Sequence, residues 1–109
     1  MRALIVVALL CGGCSAVTFE NRLPGATVEN ARVETEDGDV LWLASDRVLP
    51  GGSRRVSPGP SVVGERGRLV FELVVGGRRA ELEGTESVRL DEGTQLILAP
   101  DTPVRARLE

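Results

Sequence analysis

The apolar residues of this chain recur at the spacing of strands. From Val17 onward, short apolar or alternating runs are broken by Gly, Pro or Asp-Gly, and no segment sustains a helical period. Val17 and Phe19 alternate with polar neighbours in VTFEN (17–21), and LPG (23–25) turns the chain. In ATVENARVET (26–35) the apolar phase changes between Val28 and Ala31, which predicts a β-bulge near Glu29-Asn30. EDGD (36–39) reads as a turn, VLWL (40–43) is apolar on both faces, and LPGG (49–52) turns again before SRRV. SPGPSVVGERG (57–67) is the longest loop, with room for a short Val62-Val63 strand.

The sharpest signal is a hairpin over residues 68–83, RLVFELVV-GG-RRAELE. Gly76-Gly77 suits a two-residue primed turn, which needs positive φ at both positions. Closing the turn there pairs Val75 with Arg78, Val74 with Arg79, Leu73 with Ala80 and Phe71 with Leu82. Leu69, Phe71, Leu73, Ala80 and Leu82 then share one face. Glu72 falls opposite Glu81, a mild penalty, with Arg79 diagonally near Glu72. SVRL (87–90), TQLILA (94–99) and VRARL (104–108) follow as short strands. The fold class predicted is all-β: a small immunoglobulin-like or transthyretin-like β-sandwich of about 7–9 short antiparallel strands.

Several strands carry more apolar residues than one face needs. With Val40 and Trp42 turned to the core, Leu41 and Leu43 face away. Val70 and Val74 do so behind Leu69, Phe71 and Leu73, and Ile97 behind Leu96 and Leu98. Leu41, Leu43, Val70 and Val74 are therefore a candidate partner patch, the alternative being that neighbouring structure covers them.

The chain opens differently. Arg2 is followed by an uninterrupted apolar run from Ala3 to Leu10, then Cys11-Gly12-Gly13-Cys14. A charged start and a short apolar run form a secretory signal, too short for the ~20 residues of a spanning helix. The pair of cysteines is not half of a zinc site, because the chain has no His and no other Cys. The order of features resembles the bacterial lipoprotein signal, whose lipobox ends in two small residues and a lipid-accepting Cys. Gly12 and Gly13 take the small positions and Cys14 the acceptor. Cys11 stands where the family usually has Leu. The resemblance implies cleavage after Gly13 and a membrane anchor through lipid on Cys14. Ser15, not Asp, follows the Cys, which in Gram-negative sorting implies the outer membrane. The predicted organisation is a signal peptide at 1–13, a lipidated Cys and short tether at 14–16, and a sandwich domain at 17–109. Ser15 and Ala16 span under ~10 Å when extended, so the domain sits close to the bilayer.

The 96 residues from Cys14 to Glu109 make one small domain. All 13 basic residues are Arg and 16 are acidic; removing Arg2 with the signal leaves a net charge of −4. An acidic chain is a poor partner for nucleic acid. Positive charge is concentrated between residues 45 and 68. Arg47, Arg54, Arg66 and Arg68 there are candidate anion-binding residues, set against the simpler reading that they pair with acidic neighbours. Arg54 and Arg55 are adjacent in a strand and point to opposite faces.

A serine nucleophile has no His or Lys base here, and no cofactor is expected. EDGD has oxygen ligands but not the length of a calcium loop. A weaker resemblance joins Asn21, Gly25, Val28, Trp42, Pro50-Gly51, Ser53, Phe71, Leu73 and Gly77-Arg78 to small secreted bacterial sandwich domains of unassigned function. An immunoglobulin-type sandwich carries a core Trp in its third strand, where Trp42 falls. The expectation is a lipid-anchored envelope protein, not an enzyme, acting as a structural or protein-binding module. The alternative is a carboxylate-dependent hydrolase of an envelope glycan.

Overall fold

A computed structural model describes residues 16–107 and the backbone of residues 5–8. Within these residues the chain is all-β: β1 Ile5–Ala8, β2 Val17–Asn21, β3 Thr27–Thr35, β4 Val40–Ala44, β5 Ser53–Val56, β6 Arg66–Val75, β7 Arg78–Gly84, β8 Val88–Arg89, β9 Thr94–Leu98 and β10 Val104–Ala106. One sheet runs β1-β9-β2-β5 and the other β10-β7-β6-β3-β4, with β8 also paired to β6. The core lies between them. Val17, Phe19, Leu96 and Leu98 from the smaller sheet meet Val28, Val33, Leu69 and Phe71 from the larger. The fold is that of a small β-sandwich.

Hairpin β6–β7 has the register set by its turn: Val75 opposite Arg78, Leu73 opposite Ala80, Phe71 opposite Leu82 and Glu72 opposite Glu81. Gly76 and Gly77 both have positive φ, at 57° and 81°, as a primed turn demands. The bulge in β3 is also present. Pairing with β6 shifts between Glu29 and Arg32, and Asn30 takes a left-handed φ of 54°. This extra residue lets Val28, Ala31 and Val33 all reach the core.

Three expectations are corrected. Residues 62–63 are not a strand. The N–H groups of Val62 and Val63 both donate to the Gly59 carbonyl in a turn that buries Val62 and exposes Val63. The strands are not all antiparallel, since β2 runs parallel to β9. Parallel neighbours need a long connection, and here β3 to β8 are threaded between them. The phase of β4 is reversed: Leu41 and Leu43 are buried at 7% and 4%, while Val40 and Trp42 are 44% and 48% exposed. Paired residues share a face of the sheet, and β3 sets Arg32 against Trp42 and Val33 against Leu41. Turning Trp42 inward would carry Arg32 into the core.

Gly67 marks a close approach of two strands. A Cβ there would collide with the Glu34 carbonyl oxygen and press on Val33 Cγ1 at 2.8 Å. Asn21 closes the far end of β2. Although fully buried, its Nδ2 donates to the carbonyls of Ala26 and Val48, and its Oδ1 accepts from the Leu23 N–H, all at 3.0 Å. Both LPG turns are thereby tied to one side chain, which satisfies the polar group that burial would otherwise penalise.

Candidate interaction surfaces

The candidate partner patch does not assemble. Leu41 and Leu43 are core, Val70 is 1% exposed, and Val74 is only half-buried. Val70 does lie on the outer face of the larger sheet, opposite Arg32 on one side and Glu83 on the other. It is buried because charged side chains cross above it. Arg32 reaches from β3 over β6 to Glu81 on β7, at 2.8 Å. Arg107, just beyond β10, reaches Glu34 on β3 with two hydrogen bonds of 2.8 Å. The aliphatic stems of such residues cover apolar surface while their heads stay in water.

These pairs belong to a lattice over the outer face of the larger sheet. Arg32 also contacts Glu34 at 3.1 Å, and Arg79 bridges Glu29 and Glu72 at 2.7 Å each. Arg105 donates to Glu83 at 2.7 Å. The Glu72–Glu81 opposition is therefore relieved by Arg79 on one partner and Arg32 on the other. Hydrogen bonding from Arg107 holds the Glu34 carboxyl below its usual range; burial opposes this, and Arg32 adds to the lowering. Its carboxylate raises the Arg107 guanidinium in turn. At the end of the lattice the Arg32 guanidinium stands 5.4 Å from the centre of the Trp42 ring, a cation–π contact.

The four candidate anion-binding arginines are dispersed: Arg47 lies in the loop between β4 and β5, and the other three are divided between the sheets. Arg54 on β5 pairs with Asp46 at 3.2 Å and donates to the Arg47 carbonyl. Arg66 and Arg68 project from β6 in the other sheet. Arg68 donates to the Thr85 carbonyl, and Arg66 stands opposite Arg89. The EDGD segment is a turn closed by Thr35, whose Oγ1 and carbonyl accept from the N–H groups of Asp39 and Gly38.

Depressions among the described residues include ones of about 190, 290 and 320 Å³. The first brings Glu34, Glu36 and Glu83 around Arg68 and Val70. A glycosidase needs one carboxylic acid with a raised pKa. Glu34 is shifted the opposite way, and Glu83 is engaged by Arg105 and Arg107. Among the described residues, the exposed large apolar ones other than the Val40-Trp42 pair are Leu49, Val63 and Val75, each on a separate loop or turn margin.

Beyond the Arg79–Glu72 contact, sequence reasoning missed the lattice and the Asn21 knot. The lattice is spelled in the alternation of Glu29, Arg32, Glu34, Arg68, Glu72, Arg79, Glu81 and Glu83, but only strand order makes neighbours of them. Cys14 and Gly13, the lipidation and cleavage positions, lie outside the described residues. No helix among the described residues is long and apolar enough to cross a membrane. Comparison of the chain with protein-family models, with curated proteins and with solved structures found no match.

Proposed function

We propose that this chain is the precursor of a bacterial envelope lipoprotein whose sandwich domain serves as a structural or protein-binding module. The observation that carries the reading is the order Arg2, apolar Ala3–Leu10, Gly12-Gly13, Cys14. The Cys14 thiol takes the lipid, cleavage after Gly13 makes Cys14 the N-terminus, and Ser15 directs the product to the outer membrane. The first strand of the domain begins at Val17, so only Ser15 and Ala16 lie between the anchor and the folded body. A module is favoured over a hydrolase because two of the three carboxylates at the Glu34 depression, Glu34 and Glu83, are held by guanidinium groups, and a carboxylate so held is a poor proton donor for glycoside cleavage.

The test is palmitate labelling and intact mass in a bacterial host. Wild type should lose residues 1–13 and take up label. Cys14→Ser should lose the label and remain uncleaved. Cys11→Leu should process at least as well as wild type, because Leu is usual there in lipoprotein signals. Each buried CH₂ contributes about 0.8 kcal/mol, so two or three long chains hold the protein firmly without help from the acidic domain. Label retained in Cys14→Ser, or lost in Cys11→Leu, would overturn the assignment.

A further inference from the structure

In the full chain, β1 lies at the end of the smaller sheet and pairs antiparallel with β9 through all four of its residues: Ile5 with Ile97, Val6 with Leu96, Val7 with Gln95 and Ala8 with Thr94. Those four residues belong to the segment that lipoprotein processing removes. We infer that processing leaves an open strand position beside β9, and that the mature domain fills it with an extended, uncharged aliphatic strand of another polypeptide. The inference rests on the lipoprotein reading, since the position opens only if residues 1–13 are lost.

The free edge of β9 would differ from those of β5 and β10, while β4, which ends the larger sheet, is likewise without charge or proline. Natural sheets protect an edge with charge, proline or brevity. β5 carries Arg54 and Arg55, and β10 is three residues long, preceded by Pro103 and containing Arg105. β9 is Thr-Gln-Leu-Ile-Leu, with neither charge nor proline, and Leu96, Ile97 and Leu98 are buried at 0%, 8% and 1%. Stripped of β1, it offers a row of unpaired N–H and C=O groups between apolar side chains, the arrangement used in strand addition.

The balance of the two sheets points the same way. Without β1, three strands oppose the six of the larger sheet. β5 and β2 approach β4, so β9 and the position beyond it run toward the β7–β10 side. There Leu73, Leu82 and Val104 pack on the core yet are only partly buried. A strand beside β9 would extend the smaller sheet in their direction by about 4.8 Å. The tether, residues 14–16, is too short to supply it. The chemistry of the occupant is read from the strand seated there in the full chain: Ile-Val-Val-Ala, uncharged, aliphatic and antiparallel to β9.

The experiment uses the processed protein purified from membranes in detergent, with its N-terminus at Cys14 verified by intact mass. Amide hydrogen exchange over residues 94–98 is followed with and without a synthetic peptide of residues 2–9 bearing a soluble tail. The expected result is fast exchange at the β9 edge in the free protein. Saturable binding of one peptide should then slow exchange about ten-fold, and a peptide carrying Val6→Pro should lose at least ten-fold in affinity, because proline removes a ladder N–H. Equal protection of β9 with and without peptide in a processed monomer would overturn the inference. So would a dimer that protects β9 and that the peptide does not displace, since the occupant is then a second copy. A purified chain that still carries residues 1–13 would overturn the lipoprotein reading and remove the open position with it, an outcome the mass alone distinguishes.

Discussion

At the residue scale, the two faces of β4 give the most direct test of the packing. Leu43 is buried and Val40 is open to solvent. Leu43→Ala should cost about 2–4 kcal/mol of unfolding free energy, whereas Val40→Thr should stay within about 0.5 kcal/mol. Urea unfolding of both variants decides between this phase and the reverse one. Asn21 supplies a polar counterpart. Asn21→Leu has similar bulk but strands the Ala26 carbonyl and the Leu23 N–H, and leaves the Val48 carbonyl with the Val28 N–H alone. A loss of about 2 kcal/mol or more is expected in the same assay, since each unpaired buried group costs about 1–3 kcal/mol. Trp42 shows why such positions resist reading from sequence. Its run is apolar on both sides, so periodicity had no phase to report. The deciding fact is a partner, Arg32, ten residues earlier.

At the element scale, the hairpin and the bulge were legible because their causes are local. A Gly-Gly pair defines register by counting outward, and a break in apolar phase within one strand locates an extra residue. Gly67 was not legible, because its reason lies on another strand. Gly67→Ala forces β6 away from β3, since the Glu34 carbonyl occupies the space a Cβ needs. It should lower the thermal midpoint more than Gly76→Ala, which meets nothing within 4 Å and bears only the left-handed backbone penalty of about 1–2 kcal/mol. The ionic lattice predicts a pH dependence. The Glu34 pKa is lowered in the folded state from an ordinary value of 4.5. Its contribution is therefore full above that pH and is lost as pH falls through the lower folded value. Stability measured by urea titration should decline below about pH 4.5, and Glu34→Gln should remove part of that slope. The Glu34–Arg107 coupling from a double-mutant cycle should be about 1 kcal/mol or less, because both side chains are 31% exposed.

At the scale of the whole molecule, composition and turn spacing were sufficient for an all-β sandwich. Frequent breaks, strand-length apolar runs and the lack of a helical period leave few other ways to bury this much Val and Leu. They also bounded the chemistry, since a chain without His or Lys lacks the usual base for a serine nucleophile. The proposed lipid signal is likewise a linear message, of the kind read by enzymes that meet an extended chain, so it is written in consecutive residues. Tertiary structure alone decided the parallel β2–β9 pair, the inward turn of Leu41 and Leu43, the charged cover over Val70, and the strand position that β1 occupies beside β9. Each of these depends on which strands become neighbours. That choice is made by the joint burial of residues far apart in the chain, and local periodicity carries no record of it.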